Sequence, residues 1–316
     1  MKIVLLAGAS SIHTVRLANG LLDAGHQVHV ITQHPVVEPF AYGVRTHLLD
    51  YQGIWGYFTM VPTVRKLLRD IEPDIVNAHY ASGYGTTARL LNHRPWLLSV
   101  WGSDVYDFPH KSVLHKWLVK SNLQSADHVA STSHCMADET RKLSSDLRNI
   151  AITPFGVDLA AFAEHKPPQL ERKNKLVIGT IKLMKHVYGI DTLIEAFALL
   201  QKSLHNKPEI DAPDIELRLV GGGDQTDQLR SLALRLGVVD KVNFVGQVPH
   251  SQVPLELAKL DIFVALSRQE SFGVAIIEAG AAGRPVVVSD ASGLSEVTLD
   301  GVTGFVVPRE NPAAAA

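Results

Sequence analysis

The chain has 316 residues, 46% of them hydrophobic, with 30 basic and 32 acidic side chains and a formal charge of −2 at pH 7. That balance argues against nucleic acid as the main partner, and the length suits two domains better than one core. The single cysteine, Cys135, excludes an intramolecular disulfide framework and fits a reducing compartment, the cytoplasm.

The N-terminal "KIVLLAG" reads as a buried strand, since its apolar run is too short for a signal peptide. No run approaches the length of a membrane span. Further strands are predicted at "QVHVIT", "DIVNAH", "WLLSV", "DHVAST" and "IAITPF", then at "KLVIGTI", "ELRLVGG", "KVNFVG", "DIFVAL", "RPVVVSD" and "TGFVVP". Amphipathic segments such as "TVRLANGLLDAG", "GIDTLIEAFALL" and "QTDQLRSLALRLG" lie between them. Strands alternating with helices imply right-handed βαβ units and parallel sheets. The polar, proline-bearing "EHKPPQLERKN", Glu164 to Asn174, breaks this rhythm and reads as a linker. The fold expected is α/β: two doubly wound, Rossmann-like domains, 1–165 and 172–316, facing across a cleft, with ligands beyond the carboxyl ends of the strands. The closing "NPAAAA" reads as a helix start cut off within its first turn, so a truncated second domain is expected.

In the first half, "GASSIH" after strand one lacks G-x-G-x-x-G, and "HVITQH" ends without an acid; NAD is disfavoured. Small residues there let a sugar or phosphate approach, which makes Ser11 and His13 candidate acceptor contacts. The alternative for His13 is a polar helix-start residue. His79 closes "DIVNAH" at the expected cleft edge, either facing ligand or as a satisfied loop histidine. Asp104 in "VWGSDV" is the nearest ionisable group, an acceptor-side contact or a helix N-cap. Asp158 in "GVD" reads as a turn cap at the domain junction. "HKSVLHKWLVKSN" reads as a helix with Val113, Leu114, Trp117 and Leu118 on one face and Lys111, His115, Lys116 and Lys120 on another. Two readings stay open for it: a peripheral contact with an anionic membrane, or a helix covering the sheet with a solvated basic face.

In the second half, "SRQESFGVAIIEAGAAGRPVV" places Glu270 and Glu278 on either side of a glycine-marked helix start. The backbone N–H groups of Gly273, Val274 and Ala275 leave such a helix unpaired and favour an anion, a diphosphate for instance. Glu278, more than one turn along, suits a ribose diol, and Glu270 a sugar hydroxyl beyond the phosphates. The bland alternative makes Glu270 a carboxylate complementing the helix dipole and Glu278 a solvated surface charge. "VGGGD", holding Gly221 and Gly223, is a tight turn without the Lys-Ser/Thr of a P-loop.

"ESFGVAIIEAGAAGRPVVVSDASGLSEVTLDGVTGFVVP" closely resembles the E-x7-E region of retaining glycosyltransferases of family 4, which have the GT-B fold. "ITPFGVDLAAF", "GTIKLMKHVYGIDTLIEAF", "LRLVGGGDQTDQLRSLALRLGVVDKVNFVGQVP" and "LLSVWGSDV" resemble other segments of that family, so the likeness spans nearly the whole chain. It implies sugar transfer from a nucleotide-diphosphate donor, UDP- or GDP-linked, with no other cofactor. The acceptor would be a sugar, a lipid-linked sugar or a small molecule. By position Glu278 would hold the ribose, Glu270 the donor sugar, and the Phe272, Gly273, Val274 and Ala275 backbone the diphosphate. Gly221, Gly223 and Val245 would lie near the nucleotide. The family's usual Arg and Lys are replaced by Thr180 and Tyr188, which leaves Lys182, ahead of Lys185, to meet the diphosphate as a point charge. Trp101 stands where many relatives carry histidine, so the catalytic candidates are Glu270, Lys182, Asp104 and His79. No D-x-D loop or His/Cys cluster suggests a metal. Two rival readings are a sugar-nucleotide epimerase on the same fold and a nucleotide-sugar-binding protein without turnover.

Overall fold

The computed structural model describes residues 1–147, 149–163, 175–206 and 213–316; the linker expected at Glu164–Asn174 lies outside them. The chain divides into two compact units, Met1–Phe155 and Gly156–Ala316.

The first unit is built on seven parallel strands: β1 (Lys2–Leu6), β2 (Gln27–Thr32), β3 (Arg45–Leu48), β4 (Ile75–His79), β5 (Trp96–Val100), β6 (His128–Ser131) and β7 (Ile150–Ile152). Their order is β3-β2-β1-β4-β5-β6-β7. Both faces of such a sheet are covered, which is why β1 is a continuous apolar run. Its side chains alternate: Val4 and Leu6 join the core beneath Met60, Val64 and Leu123, whereas Ile3 and Leu5 pack on the other face with Ala18, Val28 and Val30. The sequence reading missed β3. That strand is four residues long, lies at the sheet edge and is largely exposed, so it carries no apolar run to detect. Strand order reverses between β1 and β4, and the loops beyond these two strands meet at that switch point.

The second unit has six parallel strands, β8 (Lys175–Ile181), β9 (Asp214–Val220), β10 (Val242–Gly246), β11 (Ile262–Ala265), β12 (Val286–Ser289) and β13 (Gly304–Val307), in the order β10-β9-β8-β11-β12-β13. The switch point lies between β8 and β11. The sequence reading carried the first domain to residue 165, but the division falls earlier. Helix Leu159–Ala163 follows Asp158, whose carboxylate accepts the Ala160 N–H at 3.0 Å as the expected cap. Phe162 of that helix is buried among Leu257, Phe263 and Ile276 of the second unit. Helix Pro312–Ala315 is capped by Asn311, which accepts the Ala314 N–H at 3.0 Å, and packs on helix Ile190–His205.

Candidate functional sites of the two units

In the second unit, Lys182 comes directly after β8 and Glu270 lies in the loop after β11. The switch point brings them together across 88 positions of sequence, Lys182 Nζ donating to Glu270 Oε2 at 2.5 Å. Both side chains are largely buried. Burial works against the Lys182 ammonium, but the Glu270 carboxylate, with smaller help from Tyr188 and Glu278, more than offsets it, and the pKa is raised. Lys182 is therefore a fixed cation. Its Nζ also sits 4.9 Å from the Tyr188 ring centroid.

The loop carrying Glu270 is fastened on both sides. Arg268 grips Asp191 with two bonds of 2.9 Å and also reaches Glu310 at 2.9 Å; sequence reading had not singled it out. A Cβ on Gly293 would lie 2.5 Å from the Glu270 carbonyl oxygen, so only glycine lets helix Ser292–Ser295 back the loop this closely. Gly273, at φ +91°, is the N-cap of helix Val274–Ala281, and the first bond inside that turn runs from the Ile276 N–H to the Gly273 carbonyl at 2.9 Å. By helix geometry the N–H groups of Gly273, Val274 and Ala275 precede the ladder. Phe272 is buried beside them.

Glu278 is not the solvated surface charge of the bland reading. It is buried, 7% exposed, and its Oε1 lies 3.1 Å from His250 Nε2. His250 stood alone in a loop of the sequence with no spacing to mark it. Gly221 and Gly223 have a packing role: a Cβ on them would lie 1.9 Å from the Lys182 carbonyl oxygen and 2.3 Å from that of Met184. The glycine turn thus lies directly against the segment that presents Lys182, joined to it by the Lys182 N–H to Val220 and the Met184 N–H to Gly222, each 3.0 Å. Val245 is half-buried in β10 beside Gly246, whose carbonyl accepts the Gly221 N–H at 2.8 Å. Lys185 is exposed ahead of the short turn His186–Tyr188.

In the first unit the switch point holds a cavity of about 160 Å³ lined by Gly8, Ser10 and Ser11 after β1, His34 after β2, Tyr57, and Tyr80, Ser82, Gly83 and Tyr84 after β4. The Tyr84 hydroxyl meets His34 Nδ1 at 2.8 Å and accepts the Gln33 N–H at 3.1 Å; burial chiefly pushes its pKa up to about 12. A Cβ on Gly83 would lie 2.4 Å from the Tyr57 ring, so glycine there admits the tyrosine. Tyr80 holds φ at +70°, a strained conformation for a non-glycine residue. The tyrosines and His34 were missed because they come from separate segments and share no local pattern.

Ser11 is the N-cap of helix Ile12–Asp23 without a side-chain capping bond, and it lines this cavity. His13 does not line it; its ring stacks on Phe155 with centroids 4.1 Å apart. His79 is neither at an exposed edge nor satisfied. It is fully buried, packed 4.1 Å from the Trp101 ring, with no hydrogen-bond partner for either ring nitrogen among the described residues. Burial drives its pKa down to about 3, so it is neutral. Asp104 is also buried and accepts three backbone N–H groups, from Ala81 at 2.7 Å, Gly102 at 2.9 Å and Trp101 at 3.2 Å. Gly102, not Asp104, is the N-cap of helix Ser103–Tyr106. Burial raises the Asp104 pKa against the pull of those N–H groups. The residue ties the loop after β4 to the loop after β5.

Comparison with known proteins agrees with this architecture. Residues 2–133 match the family "Glycosyl transferase 4-like" and residues 161–316 match "Glycosyl transferases group 1". The chain is 24% identical to the N-acetyl-alpha-D-glucosaminyl L-malate synthase of Bacillus anthracis, over 95% of this chain and 80% of that one. It is 25% identical to the D-inositol 3-phosphate glycosyltransferase of Pseudarthrobacter chlorophenolicus, over 97% and 80%. Among solved structures, sucrose-phosphate synthase from Thermosynechococcus elongatus shares the fold with a TM-score of 0.82 at 21% identity, covering 99% of this chain and 87% of that one. Anabaena HepE in complex with UDP and glucose does so with a TM-score of 0.76 at 18% identity, again over 99% and 87%. With a doubly wound parallel sheet in each unit and family matches over both, the chain belongs to the family 4 glycosyltransferases of the GT-B fold.

Proposed function

We propose that this glycosyltransferase moves a sugar, with retention of configuration, from a UDP- or GDP-linked donor to an acceptor held by the first unit, without a metal ion. The observation that carries the reading is the buried Lys182–Glu270 pair beside the N-terminus of helix Val274–Ala281. A diphosphate placed there meets the Gly273, Val274 and Ala275 N–H groups and the Lys182 ammonium. These are preorganised donors that stabilise charge as the glycosidic C–O bond breaks and its electron pair passes to the phosphate. Lys182 supplies the positive charge that a metal would otherwise bring. Glu270 keeps that lysine charged and, with donor bound, accepts a hydroxyl of the transferred sugar. Glu278, oriented by His250, accepts the ribose hydroxyls. Same-face attack by the acceptor hydroxyl gives retention, its proton leaving to the departing phosphate oxygen. The acceptor side is the cavity after β1 and β4, where hydroxyls of Ser10, Ser11 and Ser82 and three tyrosines suit a sugar, free or lipid-linked, or a small polar molecule. A UDP complex of HepE, whose fold is similar, supports the donor class. The single cysteine supports a cytoplasmic setting.

The test incubates purified protein with a panel of UDP- and GDP-sugars and candidate acceptors and assigns the product's anomeric configuration by NMR. An inverted product refutes retention. Epimerisation alone, or tight donor binding without turnover or hydrolysis, refutes transfer.

A further inference from the structure

We propose that the helical face of the first unit formed by helices Gly53–Thr59, Gly83–Leu91 and Val113–Ser125 docks on the surface of an anionic lipid bilayer. Helix Val113–Ser125 does cover the sheet, but it does so with Val119, Asn122 and Leu123. Leu118 is half-buried, but three of its apolar side chains point away: Val113 is 87% exposed, Leu114 68% and Trp117 56%. Helix Gly53–Thr59 repeats the pattern with Ile54 73% and Trp55 78% exposed, the Trp55 and Phe58 ring centroids being 5.9 Å apart. Helix Gly83–Leu91 joins the two. Thr87 Oγ1 donates to the Tyr57 carbonyl at 2.7 Å, and the Arg89 guanidinium lies 5.8 Å from the Trp117 ring centroid. Monomeric proteins rarely leave this much clustered apolar surface in water without a use for it.

Charge selects the occupant. The whole chain is slightly acidic, yet these three helices and the adjoining Val61–Ile71 carry Arg65, Lys66, Arg69, Arg89, Lys116 and Lys120 against Asp70 alone. Lys116 and Lys120 fall within a turn of Val113 and Trp117, so cations and apolar groups are interleaved. Tryptophan beside lysine on an exposed helix suits the bilayer interface, where the ring enters the headgroup layer and the ammonium meets anionic lipid. Two of the chain's four tryptophans lie here, and the other two, Trp96 and Trp101, are buried. Tyr57 of helix Gly53–Thr59 also lines the acceptor cavity, so the docking face adjoins that site. Docking itself does not depend on the transferase reading; its use, presenting an acceptor carried at a lipid surface, rests on it.

The full chain is floated with phosphatidylcholine vesicles and with phosphatidylcholine–phosphatidylglycerol vesicles, while tryptophan emission is recorded and UDP and GDP binding are measured in parallel. The expected result is partition onto the anionic vesicles only, weakened by salt, with a blue shift. The paired change Lys116→Glu with Lys120→Glu lowers partition by at least about tenfold, and Val113→Asp with Leu114→Asp does the same. Circular dichroism checks that each variant is folded. No binding to either vesicle, equal binding to both, or undiminished binding by both variants overturns the proposal. So does equally tight binding to soluble polyglutamate without a blue shift, because the apolar groups would then be idle. Unchanged nucleotide binding in a sample that fails to float counts against docking alone; floating without nucleotide binding counts against the donor reading alone.

Discussion

Acidification should destabilise the first unit through His79, and the effect can be isolated. The imidazole is buried against Trp101 with both nitrogens unpartnered among the described residues, and burial holds its pKa near 3 against an ordinary value of 6.5. A histidine depressed in the folded state is matched by the unfolded chain above pH 6.5. As pH falls from 6.5 toward 3, only the unfolded chain takes up the proton, so stability is lost through that window. Between pH 7 and pH 5 the loss is about 2 kcal/mol, from 1.36 kcal/mol per pKa unit. Urea unfolding followed by tryptophan emission reads this unit selectively, because Trp55, Trp96, Trp101 and Trp117 all precede Phe155. His29, His34 and His47 are also depressed by burial, but wild type and His79→Leu both retain them, so the difference between the two chains belongs to His79. The variant should equal or exceed wild-type stability at pH 7, having no unsatisfied buried nitrogens, and should lose about 2 kcal/mol less on going to pH 5. Identical pH slopes for the two chains, or an imidazole signal for residue 79 titrating near 6.5 in NMR, would refute the reasoning.

Other consequences follow from the donor-side geometry. Lys182→Gln should cut turnover about 10²–10³-fold, as removal of a preorganised donor does, with Lys182→Arg recovering part; steady-state kinetics with the true donor decides this, and wild-type turnover in the Gln variant rules out the phosphate contact. Glu278→Ala should weaken nucleoside diphosphate binding by about 1.5–3 kcal/mol, the cost of a charge-assisted hydrogen bond; calorimetric titration showing unchanged affinity removes the ribose assignment. Glu270→Gln should lower kcat more than it raises KM if its proposed contact is with the reacting sugar. Activity should survive exhaustive chelation, and loss reversed only by a divalent ion would require the diphosphate site to be rebuilt around a metal.

What the sequence determined by itself is what depends on neighbours along the chain. Apolar runs of strand length alternating with helical periods specify parallel α/β units, and twelve of the thirteen strands among the described residues were legible in that way. Gly273, at φ +91° ahead of Val274, is likewise a local signal, because a left-handed N-cap favours glycine whatever surrounds it. The edge strand β3 escaped because an edge position needs no apolar run. What only the tertiary structure decided is what depends on strand order. Lys182 and Glu270 are 88 positions apart and meet because β8 and β11 are neighbours. Glu278 finds His250 across 28 positions, and the tyrosine cavity draws on loops after β1, β2 and β4. Burial was equally illegible: it makes His79 a neutral core residue and Asp104 a backbone clamp, and it leaves Trp117 in solvent although its helical spacing reads the same as that of a packed residue. Periodicity reports that a helix has an apolar side; which side meets the sheet is set by the elements that pack against it.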